Sequence, residues 1–190
     1  MMVPRVWTRI ALTFGLAALA GCAPHTAHFV HPDVDLGFVR RCAVVPFQNL
    51  SSDRFAAARL QPVFLAELLQ TEALSVVDPG ATLAAYGRLG LGPDTPLTPE
   101  QVVALGEALE VQAIFTGAVE DYGQRRSGGD QTNAITASFS MLETETGTMV
   151  WNAQVSRDGS SFWRKLFGGD SASQHDVSRR AVHDALESLF

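Results

Sequence analysis

Residues 134–156, AITASFSMLETETGTMVWNAQVS, decide the fold. In the first half Ile135, Ala137, Phe139 and Met141 alternate with Thr136, Ser138 and Ser140. In the second, Met149, Trp151, Ala153 and Val155 alternate with Val150, Asn152, Gln154 and Ser156. A period of two is the spacing of a pleated strand. One polar face per strand is the mark of an antiparallel sheet covered on a single side. Glu145, Thr146, Gly147 and Thr148 supply the turn between the halves. Upstream, QAIFTGAVEDY (112–122) reads as a third strand, turned by Ser127, Gly128, Gly129 and Asp130. The stretch from Gln124 to Thr132 reads as a short link, with no room for a membrane-spanning hairpin.

Working outward, CAVVPF (42–47) is a continuous apolar run, the pattern of a strand covered on both faces. Ser51 or Ser52 is the expected cap of a helix reaching about Gln70, with Val63, Leu65, Leu68 and Leu69 among its buried residues and Pro62 as a kink or a first-turn residue. A short strand at Leu74–Val77 precedes a helix opened by Asp78 and Pro79. Thr98 and Gln101 form a capping box for a helix over 99–109 that buries Val102, Leu105 and Leu109. A last helix starts near Ser171 or Ser173. Its stripe of Val177, Ala181, Val182, Ala185, Leu186 and Leu189 must dock on the covered face. The fold class is therefore α/β in the broad sense, α+β in detail. A single mixed sheet is built as strand, helix, strand, two helices, a three-stranded antiparallel meander and a final helix.

The beginning of the chain has a different character. Arg5 and Arg9 precede an apolar run from Ile10 to Ala20, too short to span a bilayer. Leu19, Ala20, Gly21 and Cys22 then resemble a bacterial lipoprotein signal, which implies cleavage before Cys22 and acylation of its thiol. Ala23, in place of an Asp, implies the outer membrane by the sorting rule of such signals. Residues 1–21 are thus the signal peptide and 22–40 a flexible tether, its composition rich in Pro and His. Residues 41–190 are the folded domain. Of 14 basic residues Arg5 and Arg9 fall in the signal, so the mature chain carries 12 against 20 acidic residues, a net charge of −8. That balance argues against nucleic acid as a partner.

Chemistry-bearing patterns are sparse. The chain lacks a nucleophile elbow, an HExxH, a CxxC and a phosphate loop. Glu143 with Glu145, and Glu120 with Asp121, read as solvated charges at strand ends. His25, His28 and His31 lie on the tether, without the closed ligand set that a zinc site needs. His175 and His183 lie eight apart on the last helix. Cys42 reads as a small buried hydrophobe. No residue is assigned to catalysis, metal or cofactor; the one covalent addition expected is lipid on Cys22. The run Phe162, Trp163, Arg164, Lys165, Leu166, Phe167 stands out. A helical turn there sets Phe162, Trp163, Leu166 and Phe167 on one side with Arg164 and Lys165 opposite, either as a partner or membrane contact or with Trp163 and Phe167 pinning the loop to the domain's own core.

Three segments together, CAVVPFQNLS, LGEALEVQAIFTGAVEDY and LETETGTMVW, resemble the CsgG-like family of bacterial envelope lipoproteins. Its relatives include the curli-export lipoprotein CsgG, the peptidoglycan-synthase activator LpoB and the TolB amino-terminal fold. The resemblance implies a non-catalytic, periplasm-facing domain on the outer membrane, serving as scaffold or accessory factor in assembly or export of an envelope structure. Its implied partners are envelope proteins, a second copy of itself among them. Activation of a peptidoglycan synthase is the alternative. The 18 residues from Ala23 to Arg40 reach roughly 60 Å at full extension.

Overall fold

The computed structural model describes residues 26–32, 36–92, 95–127, 130–159 and 172–190. Strands are β1 (Thr26–Val30), β2 (Arg41–Val44), β3 (Gln48–Asn49), β4 (Ser75–Val76), β5 (Ala113–Ser127), β6 (Asp130–Glu143) and β7 (Met149–Asp158). Helices are α1 (Ala56–Gln70), α2 (Pro79–Arg88), α3 (Pro99–Leu109) and α4 (Gln174–Leu186). They form one mixed sheet of order β1-β7-β6-β5-β2-β4, with β3 also on β5. β5, β6 and β7 are the antiparallel meander; β2, β3 and β4 run parallel to their neighbours.

Alternation sorts the meander as expected. Phe115, Val119, Ala137, Phe139, Met141, Trp151, Ala153 and Val155 enter one core with Leu60, Phe64 and Leu68 of α1 and Val177, Ala181 and Val182 of α4. Phe64 is central, stacked on Phe139 at 5.0 Å between ring centroids and edge-on to Phe47 at 5.4 Å. The run at Cys42 is covered twice. Cys42 and Val44 face that core, while Ala43 and Val45 face a second one made with Tyr86 of α2 and Val102 and Leu105 of α3. The helix starts at Asp78, Thr98 and Ser173 are capped by those side chains, Thr98 and Gln101 forming the reciprocal box.

Several expectations are corrected. The stretch read as a tether contains β1, which pairs antiparallel with β7 from Thr26↔Val155 to Val30↔Trp151. Further on, Leu36–Phe38 is a 3-10 turn and Val39 is buried. Five residues without apolar periodicity suffice for an edge strand because the backbone ladder, not side-chain burial, holds it. The Gln124–Thr132 link is no loop: β5 and β6 stay paired to Ser127↔Asp130. β7 ends opposite Ala134, so the last pairs form a two-stranded ribbon beyond it. α1 begins after Phe55, which makes no side-chain cap. Ser51 donates to Asn49 Oδ1 instead, at 2.8 Å. Pro62 lies inside α1, which there forgoes one backbone bond. Leu69 is exposed rather than buried. Met149 is exposed while Val150 is buried, because the β6–β7 register shifts at Met141/Leu142 and breaks the alternation.

Candidate interaction surface

The side chains singled out in sequence do not converge. Glu143 Oε2 accepts from Thr146 Oγ1 within the β6–β7 turn, and Glu145 is exposed. Glu120 accepts from Gln154 Nε2 at 3.3 Å across the polar sheet face, and Asp121 pairs with Arg125. His28 is exposed on β1. His183 stands between two carboxylates, with Nδ1 3.6 Å from buried Glu67 and Nε2 3.2 Å from Glu187; it does not pair with His175. Among the described residues no group of three His, Cys, Asp or Glu side chains converges as a metal-ligand set. Burial pushes the Cys42 thiol up to about 12, so it behaves as an inert core residue. Cys22 and the run of Phe162, Trp163, Leu166 and Phe167 lie outside the described residues. The run's flanks are fixed: Asn133 Nδ2 donates to Ala172 O at 2.7 Å, and Gly159 N to Asn133 O at 2.7 Å.

What the structure assembles is a surface the sequence reading passed over. α1 and α4 pack side by side on one face of the sheet. The outward side of α1 carries Phe55, Ala58, Pro62, Ala66 and Leu69, at steps of three and four, and all are exposed. Phe55 is 47 % and Leu69 52 % exposed. α1 is therefore apolar on both sides, whereas a surface helix ordinarily turns a polar face to water. Cations flank the stripe. Arg54 Cζ lies 4.5 Å from the Phe55 ring centroid and Arg59 Cζ 5.7 Å, a cation–π arrangement. Arg59 also pairs with Asp53 at 2.7 Å. α4 exposes Arg179 and Arg180, and Glu187 follows at its end, exposed and 3.2 Å from His183. The acid of α1, Glu67, is buried, and Asp184 of α4 is held by Arg157. Asp176 is engaged by Ser173, whose hydroxyl holds its carboxyl below the usual range.

The other side of the sheet is mixed in charge as well. α2 and α3 with their caps present Asp78, Glu100, Glu107 and Glu110 with Arg88, and Arg41 lies 3.8 Å from Glu110. Beyond them the sheet is open, polar, and carries Glu120 and Asp121. The spacing 55, 58, 62, 66, 69 was available in the sequence. It was masked by the inner stripe of Leu60, Phe64 and Leu68, which explains a helix by itself.

Fold and surface define an α+β domain with one mixed sheet, helices on both sides, and an outward apolar stripe along α1 with two arginines at its start. No protein-family model matches the sequence, and no curated protein matches it. Solved structures share the fold. A PelC dodecamer from Paraburkholderia phytofirmans aligns at TM-score 0.61 and 16 % identity, over 88 % of this chain and 97 % of that one. Lipoprotein GNA1162 from Neisseria meningitidis aligns at 0.58 and 16 %, over 79 % and 97 %. Escherichia coli LpoB aligns at 0.50 and 15 %, over 63 % and 58 %. At these identities the likeness is one of fold.

Proposed function

We propose that the chain is an outer-membrane lipoprotein, acylated at Cys22, whose non-catalytic domain faces the periplasm. There it serves as a scaffold or accessory factor in assembly or export of an envelope structure, together with envelope proteins and further copies of itself. The observation that carries this reading is the Leu19–Cys22 motif lying directly ahead of a domain with the fold of a lipoprotein. The fold's occurrence in a dodecamer supports self-association. The CsgG-like resemblance belongs to the same reading.

Activation of a peptidoglycan synthase is the second reading, favoured by the fold's likeness to LpoB. The position of β1 weighs against it. Four residues from Cys22 to Thr26 reach at most about 14 Å, against roughly 60 Å for the 18 residues from Ala23 to Arg40.

The test is metabolic palmitate labelling of cells making the chain or its Cys22→Ser variant, then pull-down from detergent-solubilised envelopes. Label lost in the variant, with co-recovery of assembly or export components and of further copies of the chain, is expected. Recovery of a peptidoglycan synthase overturns the scaffold reading in favour of the second.

A further inference from the structure

We infer that the outer edge of β1 is the surface through which two copies of the chain join, strand against strand, antiparallel and centred on His28. The inference rests on the self-association proposed above and names its surface.

Among the described residues β1 forms one end of the sheet, and the other end, β4, is two residues long. Very short strands, lysine, proline and bulges are the usual means of keeping a sheet edge from pairing. β4 has the first of these. β1 has none: Thr26, Ala27, His28, Phe29 and Val30 include no lysine, acid or proline, and their register on β7 runs without a break. Ala27 to Val30 are all exposed, Phe29 at 49 % and Val30 at 38 %. Such an edge is a template for another extended backbone.

The ladder on β7 says which groups point outward. His31 N donates to Val150 O at 2.9 Å, and Val30 lies opposite Trp151, so His31 and Val150 are a hydrogen-bonded pair. Bonded and non-bonded pairs alternate along an antiparallel ladder. Phe29 and Ala27 therefore bond β7, while Val30, His28 and Thr26 turn their N–H and C=O groups outward. In a new ladder, outward residues must meet outward residues. A second β1 laid antiparallel about a two-fold axis at His28 meets that condition. Thr26 then faces Val30 of the second copy, His28 faces His28, and Val30 faces Thr26. A shift of one residue sets outward groups against inward ones. A shift of two leaves Thr26 or Val30 outside the overlap.

The side chains fit the same register. Ala27 and Phe29 lie on the polar face of the sheet, opposite Gln154 and Asn152. There the axis sets the exposed Phe29 ring of each copy against the Ala27 methyl of the other. On the reverse face, Thr26 and Val30 are both β-branched and pack well on a pleated surface. The helices leave room. α4 lies chiefly over β7 and β6. The two copies of α4 would stand about three strand spacings apart, roughly 14 Å, wider than the roughly 8–10 Å of helices in contact.

The test is oxidative cross-linking of the full lipidated chain in isolated envelopes at pH 8, where opposed imidazoles carry no like charge. His28→Cys, Ala27→Cys and Phe29→Cys are made singly, and the last two are also co-expressed under different epitope tags. Cys42 is buried and does not compete. Directly opposed residues lie about 4.5–5.5 Å apart between Cα atoms, within disulfide reach. Diagonal ones lie about 7–8 Å apart, outside it. His28→Cys should therefore give a disulfide-linked pair of chains, and so should Ala27→Cys together with Phe29→Cys. Either of these two alone should give little. His28→Pro deletes an outward N–H and leaves the β7 ladder whole. Added to the Ala27→Cys and Phe29→Cys chains, it should abolish their link with the melting temperature unchanged. Equal linking by Ala27→Cys alone and Phe29→Cys alone, a link that survives His28→Pro, or His28→Cys trapped on another envelope protein instead of on itself overturns the joint. If pull-down recovers further copies but none of these links forms, the β1 surface is wrong and self-association stands. If pull-down recovers no further copies, both fall.

Discussion

Arg157 ties Thr26 into the domain: its Nη2 donates to the Thr26 hydroxyl at 3.1 Å while its Nε holds Asp184 of α4. One largely buried guanidinium thus joins the edge strand, β7 and the last helix. Arg157→Ala removes charge-assisted hydrogen bonds worth about 1.5–3 kcal/mol where an ion is involved. The expected outcome is a lower melting temperature together with faster amide exchange along 27–30. In the unaltered protein, alternate amides of β1 should be protected by β7, and hydrogen exchange read by mass spectrometry or NMR checks both. A free tether would leave every one of them unprotected.

Gly147 in the β6–β7 turn has φ of +75°, and a Cβ built there falls 2.5 Å from Pro99 Cα at the start of α3. Neither the backbone conformation nor the backbone neighbour can yield cheaply. Gly147→Ala should therefore cost about 1–3 kcal/mol, as overpacking does, visible as a lower urea midpoint with little change in slope.

Trp151 is fully buried, and its indole Nε1 donates to Ser188 Oγ at 3.1 Å after α4. Ser188→Ala leaves that N–H without its acceptor at a cost of about 1–3 kcal/mol. Trp151→Phe removes the N–H donor and shortens the ring system, so combining the two changes should cost less than the sum of the single losses. A double-mutant cycle by denaturant unfolding measures that coupling.

Cys42 gives a pH dependence of definite sign. Its folded thiol is raised to about 12 by burial, against an ordinary value of about 8.5 in an unfolded chain. Stability from this group is complete below the ordinary value and is lost as pH climbs toward the folded one, because only the unfolded thiol ionises in that window. The melting temperature should fall more steeply above pH 9 in the native sequence than in Cys42→Ala. Alkylation by iodoacetamide at pH 8 should require unfolding.

Thr98→Ala breaks the capping box, in which Thr98 N donates to Gln101 Oε1 at 2.9 Å and Gln101 N to Thr98 Oγ1 at 3.4 Å. A loss of about 1 kcal/mol is expected, measurable by thermal unfolding, with the sheet unaffected.

Local sequence determined the elements whose cause is local. The alternation over 135–141 and 151–155 fixed the covered face of the meander. Asp78, Thr98 and Ser173 fixed three helix starts, since a cap is a bond between neighbours in the chain. The apolar run at Cys42 announced a strand buried on both sides, because each face must find its own core. The Leu19–Cys22 motif is likewise read from four consecutive residues.

Tertiary structure alone decided the rest, for one physical reason: a sheet edge is satisfied by whichever backbone is near in space. Thr26–Val30 carries almost no periodic signal, yet the free edge of β7 recruits it. The paired ribbon to Ser127 and Asp130 rests on ladder bonds between polar residues that a hydropathy reading takes for loop. The register shift at Met141/Leu142 exchanged Met149 for Val150 in the core through a geometry no pattern of side chains encodes. The outer stripe of α1 was written in the sequence as plainly as the inner one. Only the packing of Leu60, Phe64 and Leu68 against the sheet revealed that Phe55 and Leu69 were the ones left facing outward.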